Sequence, residues 1–135
     1  MHIIVCLDDR DGMLFNRRRQ SSDRAVCDHI LTRLQQPLWV SPYSAKLFAD
    51  CPEQIFVAED PLADCPEDGI CFLENTLLEP YTDRITRVTV YRWNRHYPAD
   101  RKFPLAAVLA NWQLGESGEF AGNSHERITW EVYER

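Results

Sequence analysis

The chain has 135 residues, of which 44% are hydrophobic and 27% charged, and its formal net charge is −6. That length suits one domain, residues 1–135, with an independent core and the composition of an ordinary globule. No apolar run approaches the ~20 residues of a membrane helix, the acidic balance argues against a general nucleic-acid binder, and without signal-peptide zones a cytoplasmic protein is expected.

Ile3-Ile4-Val5-Cys6-Leu7 is a continuous apolar run, short enough for a strand buried on both faces. It ends in the polar turn Asp8-Asp9-Arg10-Asp11-Gly12, and a loop follows, Met13 to Asn16 and then Arg17-Arg18-Arg19-Gln20. Ser21 and Ser22 are N-cap candidates, with Asp23 favourable at the positive end of a helix dipole. Val26, Cys27, Ile30, Leu31 and Leu34 recur at helical spacing, so Asp23 to Leu34 reads as an amphipathic helix.

Pro37 to Val40 reads as a short strand, and Ser41-Pro42 opens a short helix over Tyr43 to Ala49. Gln54 to Ala58 and Ile70 to Leu73 are further strands, with a turn of helix at Pro61 to Cys65 and a short helix at Asn75 to Tyr81. Strands alternating with helices imply right-handed crossovers and a mainly parallel sheet. Arg87 to Trp93 alternates instead, with Val88 and Val90 on one face and Thr89, Tyr91 and Trp93 on the other. Trp112 to Gly115 and Arg127 to Tyr133 complete an antiparallel ribbon, Ile128, Trp130 and Val132 sharing a face.

Cys6, Cys27 and Cys71 fall in apolar patterns and read as core thiols. Cys51 and Cys65 lie in a repeated Asp-Cys-Pro-Glu, better explained by turn chemistry than by a metal. His2, His29, His96 and His125 are scattered and are expected at surface or capping positions. Two-metal hydrolysis of the ribonuclease Z kind would require a His-x-His-x-Asp-His motif, which is missing. Ser21, Ser22 and Ser124 have no base beside them in the sequence, and there is no Gly-x-Ser-x-Gly elbow.

The opening Val5-Cys6-Leu7-Asp8, Gly12-Met13 and Phe15-Asn16 resembles dihydrofolate reductase, and the later parts agree with it. These are Val88 to Tyr91, Phe103-Pro104, Asn111-Trp112, Asn123-Ser124-His125 and Thr129 to Arg135. The resemblance covers all but roughly residues 50–69, which look shortened. It implies an α/β dihydrofolate reductase-like fold: a central, mixed, mostly parallel sheet with flanking helices and a C-terminal antiparallel ribbon.

The family's chemistry does not carry over residue by residue. Its pterin-contacting acid aligns with Ala25 or Val26, neither of which can move a proton. Asp23 is the nearest candidate acid, but at ~100° per residue it lies about 200° from Ala25 around the helix. The family's cofactor glycine pair is Leu73-Glu74-Asn75 here, and its phosphate-binding Gly-Arg-x-Thr is Ser41-Pro42-Tyr43-Ser44. The folate-tail arginine has no counterpart in Pro52-Glu53-Gln54. The usual NADPH motifs are therefore missing, and ordinary folate reduction is not expected.

The cleft at the strand C-terminal ends is expected to persist, lined by Met13, Arg17, Arg18, Arg19, Gln20, Ser21, Ser22, Tyr43, Ser44, Glu74, Asn75 and Tyr91. A donor-rich cleft with aromatic walls suits a small anionic or nucleotide-like ligand. The alternatives are an NAD(P)H-dependent reductase with a rearranged site and a non-catalytic interaction domain that presents Trp39, Trp93 or Trp112.

Overall fold

The computed structural model describes residues 1–76 and 78–135. The strands are β1 (His2–Leu7), β2 (Gly12–Phe15), β3 (Arg18–Arg19), β4 (Leu38–Val40), β5 (Ile55–Val57), β6 (Ile70–Phe72), β7 (Arg87–Arg92), β8 (Arg101–Lys102), β9 (Gln113–Phe120) and β10 (Ile128–Glu134). The α-helices are α1 (Arg24–Thr32), α2 (Pro42–Ala45), α3 (Pro61–Asp64) and α4 (Leu105–Val108). No helix among the described residues is long and apolar enough to cross a membrane.

Seven strands form one sheet in the order β5-β4-β6-β1-β7-β10-β9. β1 pairs in parallel with β6 and β7, and β4 in parallel with β5 and β6. β10 runs antiparallel to both β7 and β9, closing the ribbon. Side chains along β1 alternate between two cores. Ile3, Val5 and Leu7 pack with Leu62, Val88 and Val90 on one face, whereas Ile4 packs with Val26, Ile30, Phe72 and Tyr91 beneath α1 on the other. Each of these fully buried aliphatic side chains contributes about 1.5–3 kcal/mol of transfer free energy, which makes β1 the mechanical centre of the chain.

Three expectations are corrected. The cap of α1 is neither Ser21 nor Ser22 but Asp23, whose carboxylate accepts from the Ala25 amide at 2.9 Å. A carboxylate satisfies the first-turn amides as a hydroxyl does and adds favourable charge at the dipole's positive end. No helix forms at 75–81 among the described residues, and the next helical turn is the 3₁₀ segment Thr82–Arg84. The second ribbon strand runs on to Phe120 rather than stopping at Gly115.

The stretch from Gly12 to Arg19 is a hairpin, not a loop. β2 and β3 pair with Phe15 opposite Arg18, and β8 pairs with the other edge of β2, making a separate three-stranded sheet. The two turn residues have positive φ, 51° at Asn16 and 63° at Arg17, as a tight turn matched to strand twist requires. Asparagine adopts that region more readily than arginine, for which it is strained. Arg17→Gly is expected to stabilise the protein by about 0.5–1 kcal/mol, read as a raised urea midpoint at unchanged m-value. A lowered midpoint would mean that the Arg17 side chain makes a contact worth more than the strain.

Candidate functional site

The C-terminal end of β1 delivers Asp8 into the space between the two sheets. Its Oδ1 accepts from the Arg10 and Gly12 amides, both at 2.8 Å, and its Oδ2 from Gln20 Nε2 at 3.1 Å and the Tyr97 amide at 3.2 Å. Burial would raise this carboxyl, but the Gly12, Arg10 and Tyr97 amides and the Gln20 side chain outweigh it and hold it below its ordinary value. Gly12 is required by proximity: a Cβ there would lie 2.5 Å from Gln20 Nε2 and 2.9 Å from Asp8 Oδ2. Asp8 thus ties the hairpin to the loop that carries Tyr97.

A second network crosses the cleft itself. Arg19 donates to Glu74 through Nε at 2.8 Å and Nη2 at 3.0 Å, and its guanidinium lies over the Tyr43 ring, 4.3 Å from the centroid. The Arg19 amide donates to the Tyr43 hydroxyl at 2.9 Å, and Ser44 Oγ to Glu74 Oε1 at 2.8 Å. Hydrogen bonding to Glu74 raises the pKa of the guanidinium above its ordinary value. Asn75 Oδ1 takes the neighbouring Ser41 hydroxyl at 3.3 Å. What remains between Cys6, Met13, Gln20, Ser21, Leu73 and Trp93 is a void of about 10 Å³. One water fills such a space, and a fused heteroaromatic ring does not.

A third cluster lies where α1 begins. Asp23 has no exposed side-chain surface and His125 retains 2%. Asp23 Oδ1 accepts from the Ala25 and Asn123 amides, each at 2.9 Å. Its Oδ2 faces the Ser124 amide at 3.0 Å, the His125 amide at 3.2 Å and His125 Nδ1 at 2.9 Å. Burial would raise this carboxyl; the Asn123 amide, His125 and the Ser124 and Ala25 amides override it and hold it well below the carboxylate range. The far nitrogen of the imidazole, Nε2, lies 3.0 Å from Ser21 Oγ and 3.0 Å from the Tyr97 hydroxyl. Trp93 stacks on the ring at 4.8 Å. Ser21 therefore does have a base beside it, brought from 104 residues away by the loop before β10.

The other expected residues are dispersed. Met13 is core. Tyr91 is 1% exposed beneath α1, its hydroxyl 2.7 Å from His29 Nδ1, and does not line the void. Ser22 is exposed, with its carbonyl accepting from Ser124 Oγ. Arg17 and Arg18 pair with no carboxylate among the described residues. Arg18 borders a groove of about 560 Å³ with Phe15, Asn16, Gln20, Tyr97 and Pro98. His125 is buried rather than at the surface, while His2 and His29, the latter in the last turn of α1, are half-buried; the three rings bond Asp23, Thr89 and Tyr91 respectively. Of the tryptophans considered for a partner surface, Trp93 is 5% exposed and Trp39 and Trp112 are partly buried against the core. Tyr97 and the bonded face of His125 carried no local signal, since their partners are remote in sequence.

No protein-family model and no curated protein matches the sequence. Among solved structures the chain is similar to a dihydrofolate reductase from Enterococcus faecalis, determined in complex with NADP(H) and RAB-propyl. The TM-score is 0.67 at 10% sequence identity, over 99% of this chain and 95% of that one. At such identity the likeness concerns the path of the backbone and not the chemistry of the side chains. With its parallel sheet centred on β1 and its antiparallel β7-β10-β9 ribbon, the chain has a dihydrofolate reductase-like α/β fold.

Proposed function

We propose that this protein is not a folate reductase but binds a small, planar, anionic ligand of nucleotide type, in the groove beside the β2–β3 hairpin. The observation that carries this reading is the pairing pattern of the arginines. Arg19 is consumed by Glu74, and the void left beside the pair is about 10 Å³. Arg18 has no carboxylate partner among the described residues and borders an open groove with Tyr97 and Phe15, the latter 43% exposed. An unpaired guanidinium beside aromatic rings supplies both charge and a stacking face.

NADPH is the cofactor the fold would imply, and the residues here do not fit it. Glu74 is 9% exposed and carries its carboxylate where a pyrophosphate would approach backbone amides, and no helix starts at 75–81 among the described residues. Reduction of a substrate by a rearranged site remains the reading that NADPH binding would favour.

A thermal-shift panel of NADPH, NADH, folates and common nucleotides tests the proposal. A nucleotide at about a hundred times its dissociation constant is expected to add ~2.7 kcal/mol and raise the midpoint by several degrees. Arg18→Ala is expected to abolish that shift while changing the unliganded stability by no more than ~0.5 kcal/mol. A shift with NADPH or a folate that survives Arg18→Ala would overturn the proposal. No shift with any ligand would point instead to a protein partner.

A further inference from the structure

We propose that Ser21 is an activated nucleophile for acyl transfer, with His125 as its general base and Asp23 orienting the imidazole. The proposal is independent of the groove ligand. It starts from proton positions. Asp23 is an acceptor-only carboxylate, so the hydrogen in the 2.9 Å contact belongs to His125 Nδ1. That tautomer leaves the Nε2 lone pair facing Ser21 Oγ at 3.0 Å. Asp23 is held ionised by the Ala25, Asn123 and Ser124 amides, so it can stabilise an imidazolium without taking its proton.

Helix capping accounts for only half of this cluster. Ala25, Asn123 and Ser124 already saturate the carboxylate and clasp the loop to α1, without any need for an imidazole. Yet the ring is fixed on three sides, by Asp23, by stacked Trp93 and by edge-on Tyr97. Gly122 exists for the same packing, since a Cβ there would lie 2.5 Å from Asp23 Oδ2 and 2.7 Å from the His125 carbonyl oxygen. Two hydroxyls, of Ser21 and Tyr97, meet a single lone pair. Only one of them can donate to it well. The other keeps a hydrogen for a ligand, and Tyr97 can direct its own toward a carbonyl oxygen attacked by Ser21.

The substrate class follows from the walls. Ser21 borders the void of about 10 Å³ with Met13, Leu73, Trp93 and the paired Arg19 and Glu74, which holds one water and no acyl chain, so the acyl group lies on the outer side of Ser21. The substrates proposed are esters of small acyl groups that approach from the Tyr97 side, where the Tyr97 hydroxyl flanks the same nitrogen as Ser21. Ser21 Oγ bonds to the carbonyl carbon as its proton passes to His125 Nε2. The carbon–alkoxide bond then breaks, and the alkoxide takes that proton from Nε2. Water, deprotonated by the same nitrogen, releases the carboxylic acid and regenerates Ser21, so no other reactant is needed.

A fluorophosphonate and p-nitrophenyl acetate, applied to the full chain, test this directly. The expected result is one phosphonyl adduct per chain on Ser21, located by peptide mapping, and a burst of p-nitrophenolate in the acetate reaction. Ser22 is an internal control, being exposed and without a base, and Ser21 should be labelled at least ~100-fold faster. Ser21→Ala should remove both adduct and burst while the melting temperature is retained. His125→Gln, where it melts as wild type does, should slow labelling by at least ~100-fold. Absence of an adduct, an adduct on Ser22 or elsewhere, or unchanged labelling in folded His125→Gln would each overturn the proposal.

Discussion

Asp23→Asn is expected to destabilise the protein by about 3 kcal/mol. The loss does not come from the helix cap. An asparagine oxygen can still accept from Ala25 and Asn123, as Asp23 Oδ1 does now. The other end becomes an NH₂ group turned toward the Ser124 amide, the His125 amide and His125 Nδ1, all of which are donors at present. Buried donors facing one another cost the desolvation of each.

The same carboxylate sets part of the acid sensitivity. Its folded pKa is depressed, so its contribution is complete above the ordinary Asp value of about 3.9 and is lost as pH falls below that toward the folded value. Asp8, also held below its ordinary value, acts in the same direction. His2 acts earlier. Burial, with Arg87 second, lowers it from 6.5 to about 4, so the unfolded chain takes up a proton that the folded chain refuses, and stability declines from pH 6.5 downward. Urea unfolding from pH 7 to 2 should show both limbs, with the lower one shallower in Asp23→Asn. If the variant lies within 1 kcal/mol of wild type at pH 7, the cluster is not the clamp described here.

Arg19→Ala is expected to cost about 2–4 kcal/mol because it strands Glu74, 9% exposed, with Ser44 as its remaining side-chain partner. Glu74→Ala should cost a similar amount by stranding the guanidinium. The double variant Arg19→Ala/Glu74→Ala should be less harmed than the two losses added together, with a coupling of about 2 kcal/mol measured by chemical denaturation. A free basic loop would give a different result, with Arg19→Ala neutral to within ~0.5 kcal/mol like any solvated arginine. That neutral result is still expected for Arg18. The contrast between adjacent arginines, one latched to Glu74 and one with no carboxylate partner among the described residues, is therefore the direct test of the latch.

Periodicity alone located β1, β7, β10 and the body of α1. Apolar runs of period two or 3.6 report burial against a sheet or a core, and Val88, Val90, Tyr91 and Ile30 do lie on the faces that their spacing indicated. Which residues stand at the positions the resemblance aligns with the family's acid and glycines was also legible, since a sequence shows that directly. The hairpin was not. Its turn is Asn16-Arg17 rather than an asparagine–glycine pair, and β3 is two residues long, too short for any period. Nor could the sequence show that Arg19 is spent on Glu74 across 55 residues, that Asp23 caps in place of two serines, or that His125 reaches Ser21 across 104. Hydrogen bonds and ion pairs are short-range and directional, so their partners are chosen by tertiary approach and leave no mark on local composition. The sequence determined the sheet and its two apolar faces; only the folded chain decided which polar side chains are tied together.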